Sequence, residues 1–493
     1  MKNSRLIKIL KSFSREEIKA FEKFLRSPFF NCPKFVLRLF LILKKHYPEF
    51  KEKNISGEKL FQKLYGGRKF NGLLLRRMFS DLIRLSEEFM RYSNFKQNKT
   101  FQDVCLLNEL SKRDLDRILL LKYNAITKEI ESDPVSDPNS LHFQFLIHTE
   151  MKNSRTNLRD DLMNKSYTES IDAVSVLYLR ILFFYISHII TFHTEKKYIS
   201  KIAVEFYNHF NKSGFINGVD SFGEKYSVYL KMINYILLII EDKNDADSFN
   251  SLKKLLRTNS KRFSRYERIS CFAVMLRFCS YQNLKYNNLF SVESFEIYTT
   301  ILNEKLFLEY SPFLQLSFCR NYIIRCISLR KLNNVKKFIR EYNEYFSQEY
   351  KKHLNYYCRS LISFEEKKFE RSLSFISKFE LDNAVFKKDL RILKIKIFYE
   401  LNYPDSLFSE SDSFRHFISS NITIEPAIKN KTKNFIKYAA ALSKLKDIHS
   451  KNDLLILKNK IENDNKVSEK KWLLDKIKEQ LRIKNLKRYK LQV

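Results

Sequence analysis

Glycine and proline are scarce in this chain, and their scarcity limits the folds that it can adopt. The 493 residues include only 7 Gly and 8 Pro, and every glycine precedes residue 224. These two residue types supply most of the sharp turns and left-handed backbone positions that sheet-rich folds require. The sequence therefore predicts an all-α fold in which long helices are joined by short polar loops.

The chain has ample apolar material for a packed interior. Hydrophobic residues make up 44% of the sequence, with 44 Phe and 27 Tyr, which excludes a disordered polymer. Because a single core stops growing at about 250–300 residues, the length predicts several domains or one extended array. We predict a basic N-terminal helical module in residues 1–100, stacked helix pairs in residues 101–300 and a repeat region in residues 301–493. A linker is predicted at Asp133–Pro138 and a hinge at Gly214–Gly223.

The N-terminal module opens with a strong helix-start signal. Ser14 and Glu17 have the spacing of a capping box, which predicts a helix from Glu16 to about Ser27. A second helix is predicted from Lys34 to His46, ending before Pro48.

A short helix and a long helix follow, separated by glycines. The short helix is predicted from Ser56 to Tyr65, and Gly66–Gly67 forms a turn before a helix that runs from Asn71 to Tyr92. These glycines adjoin basic residues but lack the spacing and preceding strand of a phosphate-binding loop, so we interpret them as a connector. The apolar residues of the long helix recur by three and four, which predicts a buried seam of Leu75, Met78, Leu82, Leu85 and Phe89.

The positive charge is large and unevenly placed. The formal net charge is +34, and residues 1–100 hold 24 Lys and Arg against 9 Asp and Glu, a net of +15. Residues 471–493 add a net of +6. Such an excess favours polyanions, acidic proteins or anionic surfaces as partners. The abundance of Lys, Asn, Ile and Phe is equally typical of an AT-rich genome, and both explanations stay open.

Three arginines form a stripe on the long helix of the module. Arg77, Arg84 and Arg91 recur every seven residues, on a face other than the buried seam. The module has the outline of a helix-turn-helix, formed by the short helix, the glycine turn and the long helix. Its second helix could meet phosphates or base edges. Asp81, Glu87 and Glu88 share the helix and favour an ordinary solvated face instead. The candidate polyanion-binding residues are Arg68, Lys69, Arg76, Arg77, Arg84 and Arg91.

No pattern in the sequence indicates catalysis, a metal or a cofactor. His188 and His193 are five residues apart and do not share a helix face, and no zinc-protease motif occurs. The pairs Cys271/Cys279 and Cys319/Cys326 are interpreted as free buried thiols, since no Cys-x-x-Cys exists. Adjacent carboxylates on helices point about 100° apart and form no acid–base pair. We therefore expect no catalytic, cofactor-binding or metal-binding residues.

The same residues predict a cytoplasmic chain without a transmembrane segment. Seven cysteines without close pairing indicate a reducing compartment. Lys8 and Lys11 interrupt the N-terminal stretch where a signal peptide would be apolar. The most apolar windows, residues 181–192 and 229–240, are too short to span a bilayer, which takes about 20 residues.

A degenerate repeat is visible after residue 305. Three segments that follow long helices each have a bulky residue and a smaller one three positions later, and the bulky residues are 37 and 34 residues apart. The three pairs are Leu332 and Val335, Phe369 and Ser372, and Tyr403 and Ser406. This spacing resembles that of tetratricopeptide (TPR) repeats. The resemblance implies an α-solenoid of antiparallel helix pairs, in which each second helix starts at the bulky residue and its smaller residue lies against the first helix.

The two ends of the chain carry further signals. Residues 13–31, FSREEIKAFEKFLRSPFFN, resemble the start of a family of uncharacterised bacterial helical proteins, a likeness that implies no activity. A basic amphipathic helix is predicted from Ser468 to Tyr489, and we interpret it as a helix that caps the repeats. Its apolar side comprises Trp472, Leu473, Ile477 and Leu481.

These features lead to two main hypotheses for function. The first is a non-enzymatic helical scaffold or adaptor that binds a protein or peptide partner of acidic character. The alternative is a nucleic-acid-binding protein that uses the basic N-terminal module. A third hypothesis, an enzyme whose site is assembled from distant helices, has no motif to support it.

Overall fold

The prediction of an all-α fold is confirmed by a computed structural model of the chain. It describes residues 5–30, 33–50, 55–132, 138–153, 160–192, 201, 205, 209–218, 224–285, 289–447 and 450–490. Helices are the only regular secondary structure in these ranges. The chain divides into two compact units, Met1–Ile181 and Leu182–Val493. The boundary between them falls within a single helix, α9 (Asp160–Phe192).

The first unit begins with a five-helix module around one apolar core. Its helices are α1 (Arg5–Ser12), α2 (Arg15–Arg26), α3 (Lys34–Lys44), α4 (Gly57–Tyr65) and α5 (Gly72–Gln97). All of the other four pack against α5. The module is followed by α6 (Lys99–Lys112), α7 (Asp116–Ser132) and α8 (Pro138–Asn153). Asp133–Asp137, most of the predicted linker, lies outside the described residues.

Local signals in this module produce the expected structure. The Ser14 hydroxyl accepts a hydrogen bond from the Glu17 N–H at 3.1 Å, and the Glu17 carboxylate accepts one from the Ser14 N–H at 2.6 Å, so the capping box is confirmed. The predicted seam of α5 is also confirmed, because each of its five residues is at most 5% exposed. The end of α5 was predicted five residues early, since Asn98 closes α5 and caps α6 without a glycine.

The second unit consists of helices that pack in pairs along the chain. The described helices after α9 are α10 (Lys212–Gly218), α11 (Glu224–Glu241), α12 (Ala246–Thr258), α13 (Arg265–Lys285), α14 (Ser291–Asn303), α15 (Leu316–Ser328), α16 (Leu332–Glu341), α17 (Lys351–Glu365), α18 (Phe369–Ile376), α19 (Ala384–Leu401), α20 (Pro404–Ser420), α21 (Pro426–Asp447), α22 (Lys451–Asn463) and α23 (Lys470–Lys490). Gly214 and Gly218 of the predicted hinge lie in α10, and Gly223 lies outside the described residues.

From α11 onward each helix packs against the next. Alternate helices also touch, α15 with α17, α17 with α19, α19 with α21 and α21 with α23. The pairwise helical packing expected from the sequence is therefore present in this unit.

The same tight turn joins four of the described helix pairs. One residue of each turn has positive φ: Asp114, Arg330, Lys367 and Asn402, at 53°, 57°, 60° and 60°. The following residue donates its N–H to the carbonyl five positions earlier, Leu115 to Leu110, Lys331 to Cys326, Lys368 to Ser363 and Tyr403 to Phe398. This is the hydrogen bond of a Schellman motif, which satisfies a carbonyl at the helix end. The turns that follow α6, α15, α17 and α19 are thus equivalent, although none contains glycine.

The turn fixes which residue of the second helix is buried. α16 and α18 begin at Leu332 and Phe369, and the fourth residue of each, Val335 and Ser372, has no exposed surface. The Ser372 hydroxyl donates to the carbonyl of Ser360 at 2.7 Å, so the two helices of that pair are in close contact.

The third pair departs from the predicted register by one residue. Tyr403 is the N-cap of α20, and Pro404 is its first helical residue, a position that suits proline. Leu407 therefore takes the buried position, while Ser406 is exposed. The helix starts Leu332, Phe369 and Pro404 are 37 and 35 residues apart, whereas the predicted bulky residues are 37 and 34 residues apart.

The C-terminal helix packs by its apolar side. Leu473 and Ile477 of α23 are fully buried, and Trp472 and Leu481 are partly buried in the same core. The Trp472 ring lies 5.3 Å from that of Tyr399, centroid to centroid. None of the described helices combines the length and the apolar character needed to cross a membrane.

The shared turn generates a prediction about stability. Lysine at position 367 adopts a left-handed backbone that favours glycine, so Lys367→Gly should raise the free energy of unfolding by about 0.5–1 kcal/mol. The matched control Lys337→Gly, in the exposed middle of α16, should lower it by about 1 kcal/mol. Urea unfolding of the full chain measures both. Equal destabilisation by the two variants would contradict the role of the turn.

Candidate functional site

The glycine turn of the N-terminal module is a helix connector, as predicted. Gly66 and Gly67 have φ values of 37° and 67°, which glycine adopts without strain. The Asn71 side chain then caps α5 by accepting a hydrogen bond from the Leu74 N–H at 3.0 Å. Helix α4, the turn and α5 thus follow one another as a helix-turn-helix requires in outline.

Arg77, Arg84 and Arg91 form an exposed surface on α5, which we call the arginine face. Seven residues correspond to nearly two helical turns, so the three side chains follow one line along the helix. This line lies on the side of α5 opposite the buried seam, and all three residues are exposed. Arg76 is exposed nearby on the same helix.

Two carboxylates near the arginine face are held in ion pairs. Glu88 pairs with Arg84 at 2.9 Å, and Glu87 pairs with Arg5 of α1 at 2.5 Å. Within the described residues Arg77 and Arg91 form no ion pair, so they present uncompensated charge. The pairing of Glu87 with Arg5 was not foreseen from the sequence, because it joins residues 82 positions apart.

The remaining predicted residues lie in the turn before α5. Arg68 and Lys69 are both exposed, and the Arg68 guanidinium lies 5.8 Å from the centre of the Tyr65 ring. A cation over an aromatic face at this distance is weakly held. These two residues therefore sit on the connector, and the arginine face is formed by α5 alone.

A second cationic surface, missed at the sequence level, lies on the pair α17 and α18. Lys352, Tyr356 and Arg359 follow the spacing i, i+4, i+7 on α17, and Arg371 and Phe375 are four apart on α18. The rings of Tyr356 and Phe375 stack with centroids 6.4 Å apart. We call these five residues the cation–aromatic strip. Its signal in the sequence was the helical spacing on both helices, which becomes meaningful only once they are paired.

The cations of the strip surround its rings. The guanidinium carbons of Arg359 and Arg371 lie 5.8 and 5.7 Å from the centre of the Phe375 ring, and the Lys352 ammonium lies 5.9 Å from that of Tyr356. All three basic residues are exposed. No carboxylate in the described part of the chain forms an ion pair with them. Three like charges thus gather at one surface without an internal counter-charge.

A third cluster of polar residues links three helices and is buried. Arg320 of α15 donates two hydrogen bonds to Asp389 of α19, at 2.6 and 2.9 Å, and the Tyr357 hydroxyl of α17 donates a third at 3.0 Å. The Lys388 ammonium lies 3.3 Å from the same carboxylate. Because the carboxylate is saturated by these donors, the cluster ties the three helices together and offers no open site.

The titration of this cluster agrees with its structural role. Burial alone would raise the pKa of Asp389, but the adjacent Arg320 guanidinium and Lys388 outweigh it and hold that pKa below its ordinary value. Burial raises the pKa of Tyr357 well above its ordinary value. Both groups therefore keep a single protonation state at neutral pH, unlike groups that exchange protons during catalysis.

The cysteines behave as the sequence predicted. Cys271, Cys279, Cys319 and Cys326 are free and buried. Burial raises the pKa of Cys279 to about 12 and that of Cys326 to about 11. Such thiols are poor nucleophiles, because the reactive form is the thiolate.

No candidate metal site emerges from the described residues, where no three His, Cys, Asp or Glu side chains gather. His193 lies outside these residues. A shallow hollow of about 680 Å³ beside α22 is lined by Tyr438, Ile456, Asn459, Lys460, Asn463, Asp464, Asn465 and Lys466. Its carboxylate, Asp464, accepts hydrogen bonds from Asn434 and Tyr438. The hollow therefore has no free acid–base pair.

Comparison with known proteins gives no relative from which to transfer a role. No protein-family model matches the chain, and searches of curated proteins and of solved structures found no match.

The buried cluster generates a prediction with a defined pH dependence. Asp389→Asn leaves Arg320 without a charged partner and should lower the free energy of unfolding by about 3 kcal/mol at pH 7. The lowered pKa of Asp389 means that its contribution is fully present above its unfolded pKa of about 3.9 and is lost as pH falls through the folded pKa. The difference in the free energy of unfolding between the wild type and Asp389→Asn should therefore stay constant down to about pH 4 and decrease below it.

Urea unfolding between pH 3 and pH 7 measures this difference. The control is Asp382→Asn, which removes an exposed carboxylate paired with Lys387 and should change stability by at most about 0.5 kcal/mol. A pH-independent difference for Asp389→Asn would show that lost packing, and not the charge of Asp389, is responsible.

Proposed function

We propose that this chain is a non-enzymatic helical adaptor that binds an acidic protein or peptide partner. The observation that carries the proposal is the cation–aromatic strip of α17 and α18. Guanidinium groups match carboxylates in shape and charge, and aromatic side chains supply apolar contact area at interfaces. A surface that combines both, and whose three cations form no ion pair in the described part of the chain, suits an acidic partner.

We further propose that α15 to α20 are degenerate TPR-like repeats that stack as a solenoid. The shared turn, the helix starts 37 and 35 residues apart and the contacts between alternate helices support this proposal. In such arrays each pair contacts its neighbours and leaves an extended surface for binding. The strip would then lie on one repeat of the array.

A cytoplasmic location and a bacterial origin are part of the same proposal. The free buried thiols are typical of a reducing compartment. The likeness of residues 13–31 to a bacterial family supports the origin.

The state of the polar groups supports binding over catalysis. The buried Asp389 carboxylate, paired with Arg320, is saturated by hydrogen bonds, and burial raises the pKa values of Cys279 and Cys326. These groups therefore lack the open, titrating character of catalytic residues.

A second candidate function is nucleic-acid binding through the arginine face. The specific observation is that Arg77 and Arg91 lie on one exposed line of α5, while Glu88 and Glu87 are paired with Arg84 and Arg5. Phosphates repeat along a nucleic acid and favour such a line of charge. This candidate uses the first unit and leaves the strip unexplained, so we rank it second.

The first proposal predicts a specific loss of binding. With a fluorescein-labelled poly-L-glutamate peptide, Arg359→Gln/Arg371→Gln should weaken the affinity of the full chain by about fivefold, because two guanidinium contacts are lost. The control Lys337→Gln/Arg340→Gln removes the same charge beside Glu341 and should change affinity by less than about twofold. Fluorescence anisotropy measures both. Equal losses in the two variants would mean that net charge, and not the strip, attracts the peptide.

The second candidate predicts a change in salt dependence. Binding of a labelled DNA duplex should weaken as salt rises, and Arg77→Gln/Arg91→Gln should make the slope of log affinity against log salt less steep by about 1.8. Lys19→Gln/Lys23→Gln, which removes two exposed charges from α2, should leave that slope nearly unchanged. Absence of binding at low salt, or an equal change in both variants, would reject the arginine face as the site.

A further inference from the structure

The order of groups along the cation–aromatic strip constrains its occupant. Lys352 stands at one end, the stacked rings of Tyr356 and Phe375 lie in the middle, and Arg359 and Arg371 stand at the other end. One end therefore carries a single positive charge, and the other carries two. A complementary surface would present one carboxylate, then an apolar group, then two carboxylates.

The two arginines lie on the same side of the helix pair. Ser360 and Ser372 meet at the closest contact between α17 and α18, and each arginine precedes one of them by one residue. The equivalent residues of the pair α15 and α16 are Tyr322 and Asn334, which likewise precede the fully buried Ile323 and Val335 by one residue. In antiparallel helices these positions therefore face each other across the pair, which explains why both guanidinium groups reach one ring.

The length of the strip distinguishes a helical occupant from an extended one. Lys352 and Arg359 are separated by seven residues of helix, or about 10.5 Å. A partner helix lying along the strip covers this distance with residues i, i+4 and i+7, which share one face. In an extended chain only alternate residues share a face, so acidic groups around a central apolar residue would stand about 13 Å apart. The spacing of acidic groups on a helix matches the length of the strip, whereas their spacing on an extended chain exceeds it.

We infer that the strip binds one face of an acidic amphipathic helix of a partner protein, with an acidic residue at i, an apolar residue at i+4 and acidic residues at i+7 and i+8. This inference rests on the proposed adaptor function and specifies its partner. The apolar residue covers the rings, the single carboxylate meets Lys352, and the paired carboxylates meet Arg359 and Arg371. The three basic residues are exposed and the two rings are partly exposed before binding, so association needs no rearrangement of the helix pair.

Two alanine-based helical peptides of identical composition test the inference. The first carries Glu at i, Leu at i+4 and Glu at i+7 and i+8, and the second carries the same residues shuffled so that the acidic groups surround the helix. Fluorescence anisotropy with the full chain should show the first peptide binding about tenfold more tightly. Arg359→Gln/Arg371→Gln should abolish this preference, whereas Lys337→Gln/Arg340→Gln should preserve it. Circular dichroism verifies that peptides and variants keep their helical content.

The outcomes separate this inference from the proposed function. Equal binding of both peptides, with loss of affinity in Arg359→Gln/Arg371→Gln, would retain an acidic partner and overturn the helical pattern. A preference that survives the double substitution would overturn the strip as the site that reads the pattern. Binding of neither peptide, together with no binding of poly-L-glutamate, would overturn the adaptor function itself.

Discussion

The close approach of the two helices in each pair is the constraint on which residues 316–420 depend. After a turn of fixed length, the fourth residue of the second helix faces the residue twelve positions before it. Ile323 with Val335, Ser360 with Ser372, and Ile395 with Leu407 are all fully buried. We call the place where these two residues meet the crossing of the pair. The side chains at the crossing differ in size from pair to pair, yet the turn is the same. Backbone hydrogen bonding thus sets the register, and the crossing residues set how closely the helices pack.

This register also determines what the surface can present. The residues that precede the crossing lie side by side, and they differ from pair to pair. They are Tyr322 and Asn334, of which Tyr322 is buried, Arg359 and Arg371, which share a ring, and Leu106 and Ile118 of the first unit, which are exposed. The same turn therefore places a largely buried pair, an exposed cationic pair and an exposed apolar pair at equivalent positions. Differences in side chains at these places give each pair its own surface, as in repeat proteins generally.

Features that depend on neighbouring residues were predictable from the sequence. The all-α fold follows from the lack of glycine and proline, the start of α2 from Ser14 and Glu17, and the buried seam of α5 from apolar residues at helical spacing. The exposure of Arg77, Arg84 and Arg91 follows from the same periodicity. Each of these properties is fixed within about two turns of helix, where short-range patterns carry the information.

Features that depend on distant residues were not predictable. The ion pair between Arg320 and Asp389 joins residues 69 positions apart, and the strip requires α17 and α18 to be paired in one register. The one-residue shift in the third pair has a different cause. Asn402 adopts the left-handed conformation and Pro404 starts the helix, so the bulky Tyr403 stands before the helix rather than in it. A bulky residue is an imperfect marker of a helix start, because it can also occupy the N-cap, as Tyr403 does.

The positive charge of the chain has two explanations, and side-chain placement bears on the choice. A base composition that enriches lysine would add solvated ammonium groups across the surface, and many lysines here fit that description. It would not place guanidinium groups at one aromatic ring, because such placement depends on helix register and on the shape of arginine. On the adaptor proposal, composition supplies the size of the excess, and helix register concentrates part of it in the strip.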